Sequence, residues 1–69
     1  MMLDDKSLKV LGYLKNHFAK SDKDVPYVDI LQTGLSLNEI ENSVQILSDG
    51  GYINVEDKYI HPSVTSLNV

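Results

Sequence analysis

The stretch GLSLNEIENSVQILSDGGY, residues 34–52, predicts one helix with a signal at each end. Ser36 is a favourable N-cap residue. Glu39, three residues later, completes a capping box in which each side chain accepts a hydrogen bond from the other residue's backbone N–H. At the far end Gly50 and Gly51 stop the helix, because glycine adopts the left-handed conformation without steric cost. We therefore predict a helix at about residues 37–49.

The two faces of this helix differ sharply in chemistry. Apolar residues recur at helical spacing along one face, namely Leu37, Ile40, Val44 and Leu47. Polar residues occupy the opposite face, namely Asn38, Glu41, Asn42, Gln45 and Asp49. The apolar face predicts packing into a core, and the polar face is the first candidate for a binding surface.

Composition indicates one small domain. With 69 residues, 42% of them apolar, the chain can form a small core and is not typical of a disordered protein. The absence of cysteine excludes disulfides and thiolate metal sites. No apolar run reaches the roughly 20 residues that span a bilayer, and no signal-peptide pattern occurs. We therefore expect a cytoplasmic protein with no membrane partner.

The charge balance argues against a dedicated nucleic-acid binder. The chain has six lysines and no arginine against ten acidic residues, which gives a formal net charge of −4. Nucleic-acid binders usually carry a basic face, and arginine is the side chain best suited to bidentate contacts with guanine. Net charge alone is a weak criterion, because local patches decide binding.

Two further helices are predicted before residue 34. Asp4 or Asp5 can cap a first helix at about residues 4–19, and Gly12 in its middle suggests a close crossing by another helix. Its apolar face contains Leu8, Leu11, Leu14 and Phe18, widened by Val10 and Tyr13. Pro26 suits the first position of a second helix at about residues 26–33, which Gly34 ends. The short connection to residue 37 predicts a helix-turn-helix unit.

Strand-like sequence follows the glycine pair. Two runs rich in β-branched and aromatic residues, joined by Glu56-Asp57-Lys58, predict a β-hairpin at about residues 52–61. Pro62 is expected to end the second strand or to confine it to an edge. The tail, residues 62–69, is compatible with an extra strand, a docked segment or a frayed end. The predicted fold class is α+β, mostly helical.

The predicted core combines the apolar positions of all these elements. Its members are Leu11, Leu14, Phe18, Ile30, Leu31, Leu35, Ile40, Val44, Leu47, Ile53 and Ile60.

This order of elements resembles the winged-helix superfamily of small prokaryotic and phage regulators. The resemblance is carried by VPYVDIL at residues 25–31, by Gly34-Leu35-Ser36, by Ile40, Val44 and Leu47, and by GGYI at residues 50–53. It covers about residues 8–61. The resemblance implies three helices and a C-terminal β-hairpin, or wing, in one domain that covers residues 1–69. It is specific for fold and unspecific for function, because winged helices bind DNA, RNA and proteins alike.

The resemblance implies two alternative functions. In the family the third helix enters the major groove of double-stranded DNA. Ser36, Asn38, Asn42, Gln45 and Lys58 would then contact DNA, as expected of a small transcriptional or replication regulator. Asn and Gln side chains can read adenine edges. The alternative is a protein-interaction winged helix that docks a basic partner through the acidic residues Glu41, Asp49, Glu56 and Asp57.

Other kinds of site receive less support. His17 and His61 are the only histidines, and metal sites usually need three or four ligands, so we predict neither a metal nor a cofactor. The paired acids fall at helix starts and turns, where they act as caps, and we expect no enzyme activity. A homodimer could form through the tail residues Val64, Leu67 and Val69, or through the first helix near Val10 and Tyr13.

Overall fold

The computed structural model describes residues 3–58 and 61–68, apart from the side chains of residues 57, 58 and 61. The fold is α+β and mostly helical. Its elements, in chain order, are α1 (Asp5–Phe18), β1 (Val25–Pro26), α2 (Tyr27–Ile30), a 3₁₀ helix (Leu31–Thr33), α3 (Leu37–Asp49), β2 (Ile53–Lys58) and β3 (His61–Leu67).

The two long helices match the ranges predicted from their caps. The Asp4 carboxylate accepts a hydrogen bond from the Ser7 N–H at 2.8 Å and caps α1. The capping box of α3 is present. Ser36 Oγ accepts from the Glu39 N–H at 3.3 Å, and Glu39 Oε1 accepts from the Ser36 N–H at 2.9 Å. These bonds satisfy donors that the first turn of a helix otherwise leaves unpaired.

The second helix is shorter than predicted. Pro26 is not its first residue. It belongs to β1 and precedes α2 as the N-cap. After Ile30 the chain tightens into the 3₁₀ helix, which ends at Gly34 with a φ of 90°. The glycine stop was therefore placed correctly, but the two-residue strand before α2 was missed because Val25-Pro26 forms it only through pairing with β3.

The sheet decides between the alternatives predicted for the tail, because most of the tail belongs to a strand. Its three strands are antiparallel in the order β1-β3-β2, so β3 is the central strand. Pro62 does not end this strand, which continues to Leu67. Proline is tolerated here because β1 pairs only as far as Pro26↔Ser63, so no β1 residue lies opposite Pro62. The predicted hairpin is therefore extended by six residues, and the tip at residues 59 and 60 lies outside the described residues.

The core lies where α1, α2, α3 and the inner face of the sheet meet. Its buried members are Val10, Leu11, Leu14, Val25, Ile30, Ile40, Val44, Leu47, Ile53 and Val64. Phe18 and Leu35 are half-buried against this cluster. Of the other predicted core residues, Ile60 lies outside the described residues and Leu31 is exposed.

Three leucines expected on apolar faces are exposed instead. Leu8 is 52% exposed, because the buried stripe of α1 runs through Ser7, Val10, Leu11 and Leu14 rather than through Leu8. Leu31 is 44% exposed. It starts the 3₁₀ helix, in which each residue turns further than in the α-helix assumed for the prediction. Leu37 is also 44% exposed, since it is the first residue of α3 and lies at the margin of the stripe.

Gly12 does not mark a helix crossing. It is exposed, and a Cβ added there would meet nothing within 4 Å. α1 packs against α3, and the buried polar residues on these helices are Ser7 on α1 and Ser43 on α3.

Candidate functional site

The polar face of α3 is exposed along its whole length. Ile40, Ser43, Val44 and Leu47 hold the helix against the core. This orientation places the five predicted contact residues of α3 together in solvent: Asn38, Glu41, Asn42, Gln45 and Asp49. The face carries two carboxylates, two asparagine amides and a glutamine, with no lysine or arginine.

The amides on this face are not equivalent. Gln45 Nε2 donates a hydrogen bond to Asp49 Oδ1 at 2.8 Å, one helical turn further along. This bond uses a donor of the Gln45 side chain that base recognition would need. It also holds the negative charge of Asp49 beside the glutamine. Asn38 and Asn42 make no side-chain hydrogen bond to any described residue. Their donors and acceptors are therefore available to a partner.

A third acid, Glu39, occupies the N-terminal end of α3. Its carboxylate accepts from the Ser36 N–H and also pairs with Lys6, whose Nζ lies 2.7 Å from Oε2. The Lys6 ammonium, helped by the Ser36 backbone N–H, lowers the pKa of Glu39 from its ordinary value of 4.5 to about 2. In return the hydrogen bond to Glu39 raises the pKa of Lys6.

This ion pair joins α1 to α3, and sequence reasoning missed it. Lys6 and Glu39 lie far apart in the chain, and nothing in the local pattern around Lys6 distinguishes it from other surface lysines. The capping box does identify Glu39, but only as a partner of Ser36. The pair has a consequence for binding, because it neutralises the positive charge of Lys6 beside the start of α3.

The predicted contact residues of the hairpin are less well defined. Glu56 is exposed on β2, whereas the side chains of Asp57 and Lys58 lie outside the described residues. The described lysines are all exposed. Lys6 and Lys15 lie at opposite ends of α1, about 13 Å apart along its axis at 1.5 Å per residue.

The outer face of the sheet is polar and internally bonded. Asn54 Nδ2 donates to Ser66 Oγ at 2.8 Å and to Asn68 Oδ1 at 2.9 Å, and Asn68 Nδ2 donates back to Asn54 Oδ1 at 3.1 Å. A shallow depression of about 470 Å³ lies over these groups. Because the amides satisfy one another, this cluster joins β2 to the end of β3 rather than offering free groups to a ligand.

Residues 3–58 and 61–68 provide neither a metal-binding cluster nor a membrane-spanning helix. No cluster of three or more histidine or acidic side chains there is suitable for a metal ion. No helix among these residues has the length and apolar character needed to cross a bilayer.

Part of the apolar surface expected to support a homodimer is used inside the protein. Val10 and Val64 are fully buried, and Tyr13 and Leu67 pack against the core. Val69, the last predicted contact residue, lies outside the described part of the chain. The side chains of Val10 and Val64 therefore cannot supply an intersubunit surface.

No protein-family model, curated protein or solved structure matches this chain.

Proposed function

We propose that the chain is a winged-helix interaction module that docks a basic surface of a partner protein through the exposed face of α3. The observation that carries this proposal is the charge of that face. Glu41 and Asp49 are exposed on it, no cation accompanies them on α3, and the neighbouring Lys6 is already paired with Glu39.

The order of the elements supports the winged-helix assignment. Two helices joined by the turn at Gly34 are followed by a hairpin. The second arm of the hairpin lies between β2 and the short strand β1, which precedes α2. This arrangement leaves the outer face of α3 free, and the second helix of a helix-turn-helix is the one that such proteins present to their ligand.

Electrostatics favours a protein over DNA as the ligand. Double-stranded DNA carries about one negative charge per 1.7 Å of its axis, and affinity depends on cations that neutralise phosphates. Insertion of α3 into a groove would bring Glu41 and Asp49 close to that charge. Against a basic protein surface the same carboxylates are complementary, and they accelerate association and discriminate against acidic partners.

One observation supports double-stranded DNA as the second candidate. Asn38 and Asn42 are exposed with uncommitted amides, and asparagine can bond to both the N6 and N7 positions of adenine. In this model of binding they would contact bases, while Ser36 and Lys58 would contact phosphate. Gln45 would have to exchange its bond with Asp49 for one with a base.

Fluorescence anisotropy can separate the two candidates with two defined probes, a poly-lysine peptide of about 20 residues and a random DNA duplex of about 20 base pairs. We expect the parent to bind the peptide and not the duplex at low salt. Glu41→Lys should weaken peptide binding about tenfold, equivalent to about 1.4 kcal/mol. Asp29→Lys is the matched control, because it makes the same charge change at an exposed position of α2 rather than α3.

The control decides whether α3 is the docking face. Equal losses in Glu41→Lys and Asp29→Lys would mean that net charge alone drives peptide binding, which contradicts the proposal. Duplex binding by the parent with a steep salt dependence, weakened by Asn42→Ala, would establish the DNA candidate instead.

A further inference from the structure

The central strand has one open edge. β1 contributes only two residues, paired as Val25↔Val64 and Pro26↔Ser63. β3 continues three residues beyond Val64, to Leu67, with β2 on one side and no described strand on the other. The last residues of β3 therefore belong to the middle strand of the sheet, but among the described strands they have a neighbour on one side only.

The backbone of Leu67 points towards this open side. The N–H of Asn68 donates to the Tyr52 carbonyl at 2.9 Å, on the β2 side of the strand. Successive residues of a strand direct their backbone groups to alternate sides. The Leu67 N–H and C=O therefore face away from β2, and no strand among the described residues meets them. An extended polypeptide is the ligand whose backbone matches such an edge.

A groove runs beside this edge. It has a volume of about 640 Å³ and lies between the C-terminal end of α1 and the last residues of β3. Phe18 and Leu67, both half-buried, supply apolar surface, while Lys15 and Asp22 supply one charge of each sign. No residue of α3 lines it, so it is separate from the docking face described above.

The charges specify the occupant further. Lys15 forms no ion pair with any described residue, so a carboxylate on a bound segment can pair with it. Asp22 lines the same groove and is complementary to a basic side chain elsewhere on that segment.

We propose that this groove binds an extended segment of a partner protein, which adds to the open edge of β3 as a further strand. Its backbone pairs with the Leu67 N–H and C=O, an apolar side chain packs on Phe18 and Leu67, an acidic side chain pairs with Lys15 and a basic one with Asp22. Main-chain hydrogen bonds would provide affinity and the side-chain contacts specificity, as in other strand-addition complexes.

The test is an NMR titration of the full ¹⁵N-labelled chain with the peptide acetyl-Glu-Val-Thr-Val-Thr-Lys-amide. We expect shifts at residues 65–67 and at Phe18, and slower hydrogen exchange of the Leu67 amide. The control peptide has the same sequence with alternate backbone nitrogens methylated, and it should not bind because it cannot donate to the edge. Lys15→Glu should weaken binding about two- to fivefold, the range for one exposed ion pair, and Lys20→Glu should not.

Each remaining outcome would overturn the proposal. A Leu67 amide already protected in the free protein would mean that the edge is closed. Equal binding of the methylated peptide would mean that the backbone takes no part. No shift at residues 65–67 at peptide concentrations on the order of 1 mM, where a dissociation constant of that size would be visible, would exclude strand addition. Shifts there that depend on protein concentration alone would identify a second copy as the occupant.

Discussion

α3 and β3 both supply fully buried core residues, but they are specified in different ways. α3 begins after Ser36 and ends before two glycines, so its boundaries depend on residues within or next to the helix. β3 owes its central position to pairing with β1, where Val64 lies opposite Val25, 39 residues earlier in the chain. The helix is a local structure, whereas the strand depends on distant parts of the chain.

This difference explains why the two regions were predicted with unequal success. Caps and glycine stops act through backbone groups a few residues away, so their chemistry is visible in a short stretch of sequence. Strand preference depends on cross-strand neighbours and burial, which a short stretch does not contain. Residues 62–67 alternate only weakly in polarity, and they form part of β3 because β2 pairs along them and β1 pairs with Ser63 and Val64.

The largest expected effect tests the buried face of α3. Leu47 is fully buried, and Leu47→Ala should lower the free energy of unfolding by roughly 2–5 kcal/mol through lost burial and the cavity that remains. Urea unfolding followed by circular dichroism measures this change. Leu37→Ala is the matched control on the same helix, and it should cost much less because Leu37 is 44% exposed. Equal losses would mean that the helix is rotated from the position described.

The second test concerns β3. Val64→Ala should cost about 1.6 kcal/mol for two buried methyl groups, at 0.8 kcal/mol each, and more if a cavity remains. Val28→Ala provides the comparison, since Val28 is 59% exposed on α2 and its truncation should be nearly neutral. If Val64→Ala unfolds at the same urea concentration as the parent, the tail is not part of the core, and the contrast between α3 and β3 disappears.

The fold was predictable wherever one local signal decided it. The range of α3, the cap of α1, the stop at Gly34 and six of the core residues followed from caps and helical periodicity. The core position of Ile53 followed from the strand-like run after the glycine pair. The errors have different physical causes. Leu31 is exposed because a 3₁₀ turn replaced an α-helical one, and β1 is too short to give a periodic signal. Gly12 was assigned a packing role from its identity alone, although the position is open to solvent.

The sequence predicted which residues of the candidate site are exposed, but it did not predict the hydrogen bonds and the ion pair between their side chains. Helical spacing placed Asn38, Glu41 and Asn42 on one exposed face, as observed. It did not reveal that Gln45 is bonded to Asp49, or that Lys6 neutralises Glu39. Such contacts depend on side-chain rotamers and on how α1 lies against α3, and neither is contained in the pattern of one helix.

A smaller effect tests the local account of α3 directly. Ser36→Ala removes the acceptor for the Glu39 N–H and should cost about 1 kcal/mol in the free energy of unfolding. Ser36→Thr keeps a hydroxyl at the same position and should retain most of that stability. Thermal or urea unfolding of both variants gives the comparison. A Ser36→Ala protein as stable as the parent would show that the capping box contributes little, so that packing alone places the helix.

The smallest expected effect concerns the ion pair between Lys6 and Glu39. This pair links α3 to α1, so it is not one of the local contacts that specify α3. The folded-state pKa of Glu39 is lowered to about 2 from 4.5, so the pair contributes stability above about pH 4.5 and loses it progressively as the pH falls towards 2. Glu39→Gln keeps an oxygen acceptor for the Ser36 N–H but removes the titrating charge. The stability difference between parent and variant, measured by urea unfolding at several pH values, should therefore shrink in that interval. Both groups are solvent-exposed, so the difference should also shrink in concentrated salt, where ion pairs are screened. Glu41→Gln, which removes an acid of α3 that forms no ion pair with a described residue, should show no such trend.

A difference for Glu39→Gln that stays constant from pH 6 to pH 2 would show that α1 and α3 are not joined by this pair in solution. The start of α3 would then be specified by local contacts alone.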